Sequence, residues 1–199
     1  MTLAEHLTAI LPPGGRLHFG ELVLRRDANG HFSACHVRDE SAVVSLEPAD
    51  SVRELRDLAK YDAEGSYRPL KTAPGLRSGW ITSTSVPQEF LKRLDAIYPG
   101  LFATWVAFDS GKLAAVPLRE TLERQTGMYR AVGSITDEMA TRILSELCQP
   151  GCLRRVVWTI GAGEPPVSID RESGEIPLLC TEACTFAVSR ARELAKEAN

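Results

Sequence analysis

Four of the chain's five cysteines fall in its last quarter, as two pairs with the same spacing: Cys148 and Cys152 in LCQPGCLRR, and Cys180 and Cys184 in LLCTEACTF. Residues four apart on a helix place their β-carbons about 6 Å apart on one face, so two thiolates at that spacing can grip one object. A single tetrahedral zinc, with Zn–S near 2.3 Å, needs its sulfurs within about 4 Å of one another, which tight Cys-x-x-Cys knuckles supply more readily. A cubane cluster spreads its ligand sulfurs about 6 Å apart, so the wider bite suits [4Fe-4S] better than one ion, with zinc as the alternative.

Pro150 and Gly151 lie between the first two cysteines, which predicts that those two do not share a continuous helix. Cys180 and Cys184 are expected at the start of the last helix, where unpaired amides and the positive dipole end favour thiolate. Arg154 and Arg155 follow Cys152 directly. Strand alternation would send them to opposite sides, so that at least one can stand near a negatively charged centre. Cys35, alone in GHFSACHVRD, reads as a buried strand thiol.

The 199 residues are 44% hydrophobic with a formal net charge of −3, enough for one substantial core or two small ones. That charge offers no basic field for nucleic acid. No apolar run approaches the ~20 residues that span a bilayer, and the start, MTLAEHLTAILPPGG, lacks the pattern of a secretory signal. The expected location is the cytoplasm, where clustered cysteines are metal ligands more often than disulfides.

The elements that must position these residues form an α+β pattern. LHFGELVLRR and GHFSACHVR read as two strands joined by a turn containing Asn-Gly. VRELRDLAKYDA, capped by Ser51, reads as a helix packed on that hairpin, and PQEFLKRLDAIYPG as a second helix. LFATWVAFD is expected to be a buried strand or extended segment, and VPLRETLERQTG a further helix stopped by Gly127. The division is expected there, with an α+β domain at 1–127 and a second at 128–199, the two packed together. The second should run as strand MYRAVGSI, helix TDEMATRILSELC, strand LRRVVWTI, an acidic loop and the helix TEACTFAVSRARELAKEA.

A long loop, EGSYRPLKTAPGLRSGWI, carries Tyr67, Arg68, Lys71, Arg77 and Trp80, and is either a wrapping loop with aromatic anchors or an anion-binding surface. His6, His18, His31 and His36 show no metal-binding spacing and read as strand or surface residues. No nucleophile, acid–base pair or nucleotide loop is evident.

Taken together, FGELVLRR, DAEGSYRPLKTAPGLRSGW, LDAIYPGLFATW, LRETLERQTGMYR, LCQPGCLRRVVW and PLLCTEACTFAVSRAR resemble the C-terminal half of bacterial multidomain proteins related to the CbiX sirohydrochlorin chelatases. In that family a chelatase-like region is followed by a stabilising domain and a small [4Fe-4S] domain. The resemblance implies Cys148, Cys152, Cys180 and Cys184 as cluster ligands and 1–127 as the stabilising domain. It departs at the last pair, which the family flanks with prolines and this chain with Leu179, Thr181 and Ala183. The sequence begins where the stabilising domain would, so metal insertion is not carried over.

The resulting expectation is a [4Fe-4S] protein with a redox or accessory role in tetrapyrrole metabolism, beside a separately encoded chelatase or redox partner. The alternatives are a zinc-stabilised interaction module, or an enzyme holding an anionic tetrapyrrole at Arg68 and Lys71.

Overall fold

The computed structural model describes residues 1–128, 131–161, 163–166 and 174–198. The chain forms two compact α+β units. The first takes residues 1–112 and recovers a short return near residue 175; the second takes most of the remainder.

The first unit is built on a six-stranded sheet of order β4-β5-β3-β2-β1-β7. LHFGELVLRR is not one strand. It folds back at Gly20 into β1 (Arg16–Phe19) and β2 (Leu22–Arg26), antiparallel with Leu17 opposite Leu24. Gly20 has φ 61°, and a Cβ there would stand 2.7 Å from Leu178 Cδ1 and 2.9 Å from the Tyr98 ring, so the turn admits no side chain.

The next turn is closed by Asp27, whose Oδ1 accepts from the backbone N–H of Asn29 (2.9 Å) and His31 (2.8 Å) before β3 (Phe32–His36). β5 (Trp80–Thr84) pairs antiparallel with β3, while β4 (Glu47–Pro48) and β7 (Glu175–Ile176) add in parallel at the two edges.

Helix α1 (Leu3–Ile10) and helix α2 (Val52–Lys60) each begin with a reciprocal cap, Thr2 with Glu5 and Ser51 with Glu54. Helix α3 (Pro87–Ile97) lies on the sheet, its Phe90 stacked on Phe32 at 5.3 Å. α2 packs on α3 rather than on the hairpin, because its buried stripe is only Leu55 and Ala59.

LFATWVAFD is helix α4 (Leu101–Asp109), not a strand. Gly100, left-handed at φ 72°, turns the chain, and its carbonyl accepts from Thr104 N at 2.9 Å. An apolar run of nine residues carries neither a two-residue nor a 3.6-residue period, so the local turn decides its conformation.

In the second unit, α5 (Leu118–Glu123) contributes Leu118 and Leu122 to a core with Met128, Ile143, Val156, Trp158, Val188 and Leu194. The division after Lys112 thus falls earlier than the expected one at 127, because α5 buries its apolar side in this second core. Residues 175–176, expected in the loop of the second domain, form a strand that pairs with β1 of the first unit.

MYRAVGSI is not a strand where it is described: Val132–Ser134 forms a 3-10 turn, while Tyr129 and Arg130 lie outside the described residues. So do 162 and 167–173 of the expected acidic loop. LRRVVWTI contracts to β6 (Arg155–Val156), paired in parallel with β8 (Leu179–Cys180). α6 (Asp137–Ile143) and α8 (Thr185–Glu197) pack against each other. Among the described residues no helix is long and apolar enough to cross a membrane.

Candidate iron–sulfur site

Helix α6 starts on Thr136, whose hydroxyl accepts from Met139 N at 3.2 Å, and buries Ala140 and Ile143. Its end widens into a π-helical turn, Leu144–Cys148, closed by Gln149 N–H donating to the Leu144 carbonyl. A last helical turn, α7 (Gln149–Gly151), carries the backbone through Pro150, and Cys152 is the first extended residue, φ −146° and ψ 140°. Cys148 and Cys152 thus do not share a helix, as the Pro-Gly pair led one to expect, but the break follows Gly151 rather than falling at Pro150. A proline ring clashes with the carbonyl four residues back in a regular helix, and the wider π turn gives it room.

The second pair is placed differently from expectation. Cys180 stands on β8, with Val156 as its register partner, and only Cys184 meets the helix, as N-cap of α8. The Cys184 thiol makes no capping hydrogen bond. Outside the unit's core, Arg190 of α8 ties that helix to the π turn through Glu146 at 2.7 Å.

All five cysteines are free. Burial pushes the Cys148 thiol up to about 12, and the neighbouring Cys180, Cys184 and Cys152 sulfurs push in the same direction. Burial likewise raises Cys180, opposed by the Arg154 guanidinium, which lies against its sulfur and favours thiolate. Four thiols from two helical ends and a strand thus share one electrostatic neighbourhood. Cys148 and Cys184 pack on the same apolar core that buries Cys180.

Among the described residues no group of three or more His, Cys, Asp or Glu side chains is arranged to hold a metal ion. The donors this unit offers are the four free thiols Cys148, Cys152, Cys180 and Cys184, and thiolate is the ligand chemistry of a [4Fe-4S] cubane.

Arg154 N–H donates to Cys152 Sγ at 3.4 Å, and the Cys180 thiol donates to the Glu182 carbonyl at 3.3 Å. Two buried nitrogens of this unit, Arg154 Nε and Trp158 Nε1, have no partner. Sequence reasoning left Arg154 and Arg155 undistinguished and passed over Trp158; the signal for both was their position just ahead of, and within, a strand pairing with a cysteine.

The other expected residues lie elsewhere. Arg68 is buried and donates to the carbonyls of Ala59 (3.4 Å), Lys71 (3.1 Å) and Ala73, and Lys71 Nζ donates to the Ala96 carbonyl at 3.0 Å. Trp80 is buried, its indole N–H on the Arg77 carbonyl at 2.6 Å, so the long loop wraps the first unit and turns Arg68 inward. Cys35 is a buried thiol of β3, raised by burial. His6 packs edge-on to Trp105 at 5.3 Å, His18 pairs within β1, and His36 is buried beside Glu21, so the histidines do not gather.

Residues 7–109 match the family model described as the DR2241 stabilising domain. The chain belongs to the DR2241 stabilising-domain family. Next to that domain, residues 110–193 match a 4Fe-4S iron–sulfur cluster binding domain, and that span holds Cys148, Cys152, Cys180 and Cys184. The match makes this an iron–sulfur binding protein and lends the zinc alternative no support.

DR2241 from Deinococcus radiodurans, described as a multi-domain protein with structural similarity to chelatases and two additional novel domains, superposes with a TM-score of 0.71 at 28% identity. The superposition covers 98% of this chain and 40% of DR2241. Comparison with curated proteins gives no match.

Proposed function

We propose that this member of the DR2241 stabilising-domain family holds one [4Fe-4S] cluster on Cys148, Cys152, Cys180 and Cys184 and serves as a redox partner to tetrapyrrole-related, chelatase-like chemistry. The observation that carries the reading is that Cys148, Cys180 and Cys184 lie on one apolar core, within the span that matches the cluster-binding domain. The cluster supplies one-electron transfer.

The chain's own residues do the rest. Burial favours the protonated form of the Cys148 and Cys180 thiols, so cluster assembly displaces protons from those two. The first amides of α8 and the Arg154 charge favour the thiolates that result. With every iron corner held by a cysteine there is no open coordination site for substrate, which favours electron transfer over chemistry at the cluster. The chelatase association rests on the similarity to chelatases ascribed to DR2241. The inward commitment of Arg68 and Lys71 gives no support to a tetrapyrrole carboxylate site on the long loop.

Single replacements by serine, each reconstituted anaerobically, test the ligand set. Cys148→Ser, Cys152→Ser, Cys180→Ser and Cys184→Ser should each lose or deplete iron, and Cys35→Ser should retain it. Full iron in any of the first four would remove that residue from the set.

A further inference from the structure

Arg154 touches a sulfur from each cysteine pair. Its backbone N–H donates to Cys152 Sγ at 3.4 Å, and its guanidinium lies against the Cys180 sulfur. The neighbouring Arg155 is set differently: it is the register partner of Leu179, while Val156 is the partner of Cys180.

Arg154 also carries an unmet need. Its Nε is buried without an acceptor, and Trp158 Nε1, in the same core as Cys180, is the other such nitrogen among the described residues of this unit. Buried donors are almost always paired, and an orphan points to an acceptor that the protein chain itself does not supply. Thiolate and sulfide sulfurs of a cluster bound at these cysteines are acceptors at that place.

We infer that Arg154 is a positioning residue that joins the two cysteine pairs and sets the reduction potential of the bound cluster. The inference rests on the ligand assignment above. The guanidinium is a cation and sits where water is partly excluded, so its attraction is strongest for the more negative, reduced state. Hydrogen bonds to cluster sulfurs and nearby net charge both govern such potentials. Arg154 therefore raises the potential, and its contact with Cys180 does so beyond what a nearby positive charge alone would give.

The test is a potentiometric titration of the full chain, reconstituted anaerobically, with iron and sulfide measured on each sample. Arg154→Met should keep the wild-type iron content and titrate at a more negative potential, and Arg155→Met should shift it less. An unchanged potential in Arg154→Met at full iron content would overturn the inference, as would equal shifts in the two variants. If Arg154→Met holds no cluster, Arg154→Lys decides: a negative shift, from loss of the planar fork at constant charge, supports the role, and no shift overturns it. Absence of iron and sulfide from the wild type would instead defeat the ligand assignment, before any potential is read.

Discussion

Glu21 shows how one side chain organises the first unit. Burial alone would raise its carboxyl, but the His36 ring and the backbone N–H groups of Leu76 and Gly75 hold it below the ordinary carboxylate range. The two amides donate at 2.9 Å each, whereas His36 Nε2 stands 3.6 Å away, beyond hydrogen-bond reach, and acts through space. Arg68 completes the node, 3.9 Å from the same carboxylate while it ties three loop carbonyls.

Arg68→Met should therefore destabilise the protein by about 3 kcal/mol, the cost of leaving a buried charge and several carbonyls unpaired. Denaturant unfolding reads this directly, and an unchanged midpoint would contradict the stapling role. Glu40 makes a surface prediction. Arg16 and Arg25 hold its pKa down to about 2 from 4.5. A depressed carboxylate stabilises the fold above its unfolded value and loses that contribution as pH falls toward the folded one. Between about pH 4.5 and 2 the wild type should lose about 0.5–1 kcal/mol that Glu40→Gln lacks at every pH, the small size reflecting water at the pair. Identical acid profiles for the two proteins would refute it.

At the scale of elements, caps and glycines decide what periodicity leaves open. The Ser51 cap, its hydroxyl accepting from Glu54 N at 3.1 Å, was legible from sequence, and Ser51→Ala should cost about 1 kcal/mol in thermal or denaturant unfolding. The fold-back at Gly20 was not legible, because a lone glycine between two short apolar runs carries no specific turn signal, and the close approach of Leu178 and Tyr98 appears only in the fold. Gly20→Ala should destabilise by about 2 kcal/mol or more, from left-handed backbone strain plus crowding, and a neutral effect would contradict the turn.

The same limit applies at the candidate site. The cysteine spacing was visible, yet the π turn that carries Cys148 past Pro150 depends on which backbone bonds form, and a short strand such as β8 is specified by its partner β6 rather than by its own two residues. The spacing therefore placed both cysteines of the second pair at a helix start, where one of them, Cys180, lies on a strand.

For the whole molecule, the chain divides its labour between a sheet-and-helix unit held by Glu21, Arg68 and a buried aromatic core, and a second unit whose core gathers the thiols of Cys148, Cys180 and Cys184. The α+β class was readable because it rests on local pattern and composition. The return of β7 to the first sheet is a pairing across more than 150 residues, set by β1 and invisible in the two residues themselves. The central claim is that the second unit's four thiols bind one cubane. Iron and acid-labile sulfide, determined together with the absorption spectrum on anaerobically reconstituted wild-type protein, test it most directly. About four of each per chain with a broad band near 400 nm is the predicted result, and a colourless protein without sulfide would contradict it.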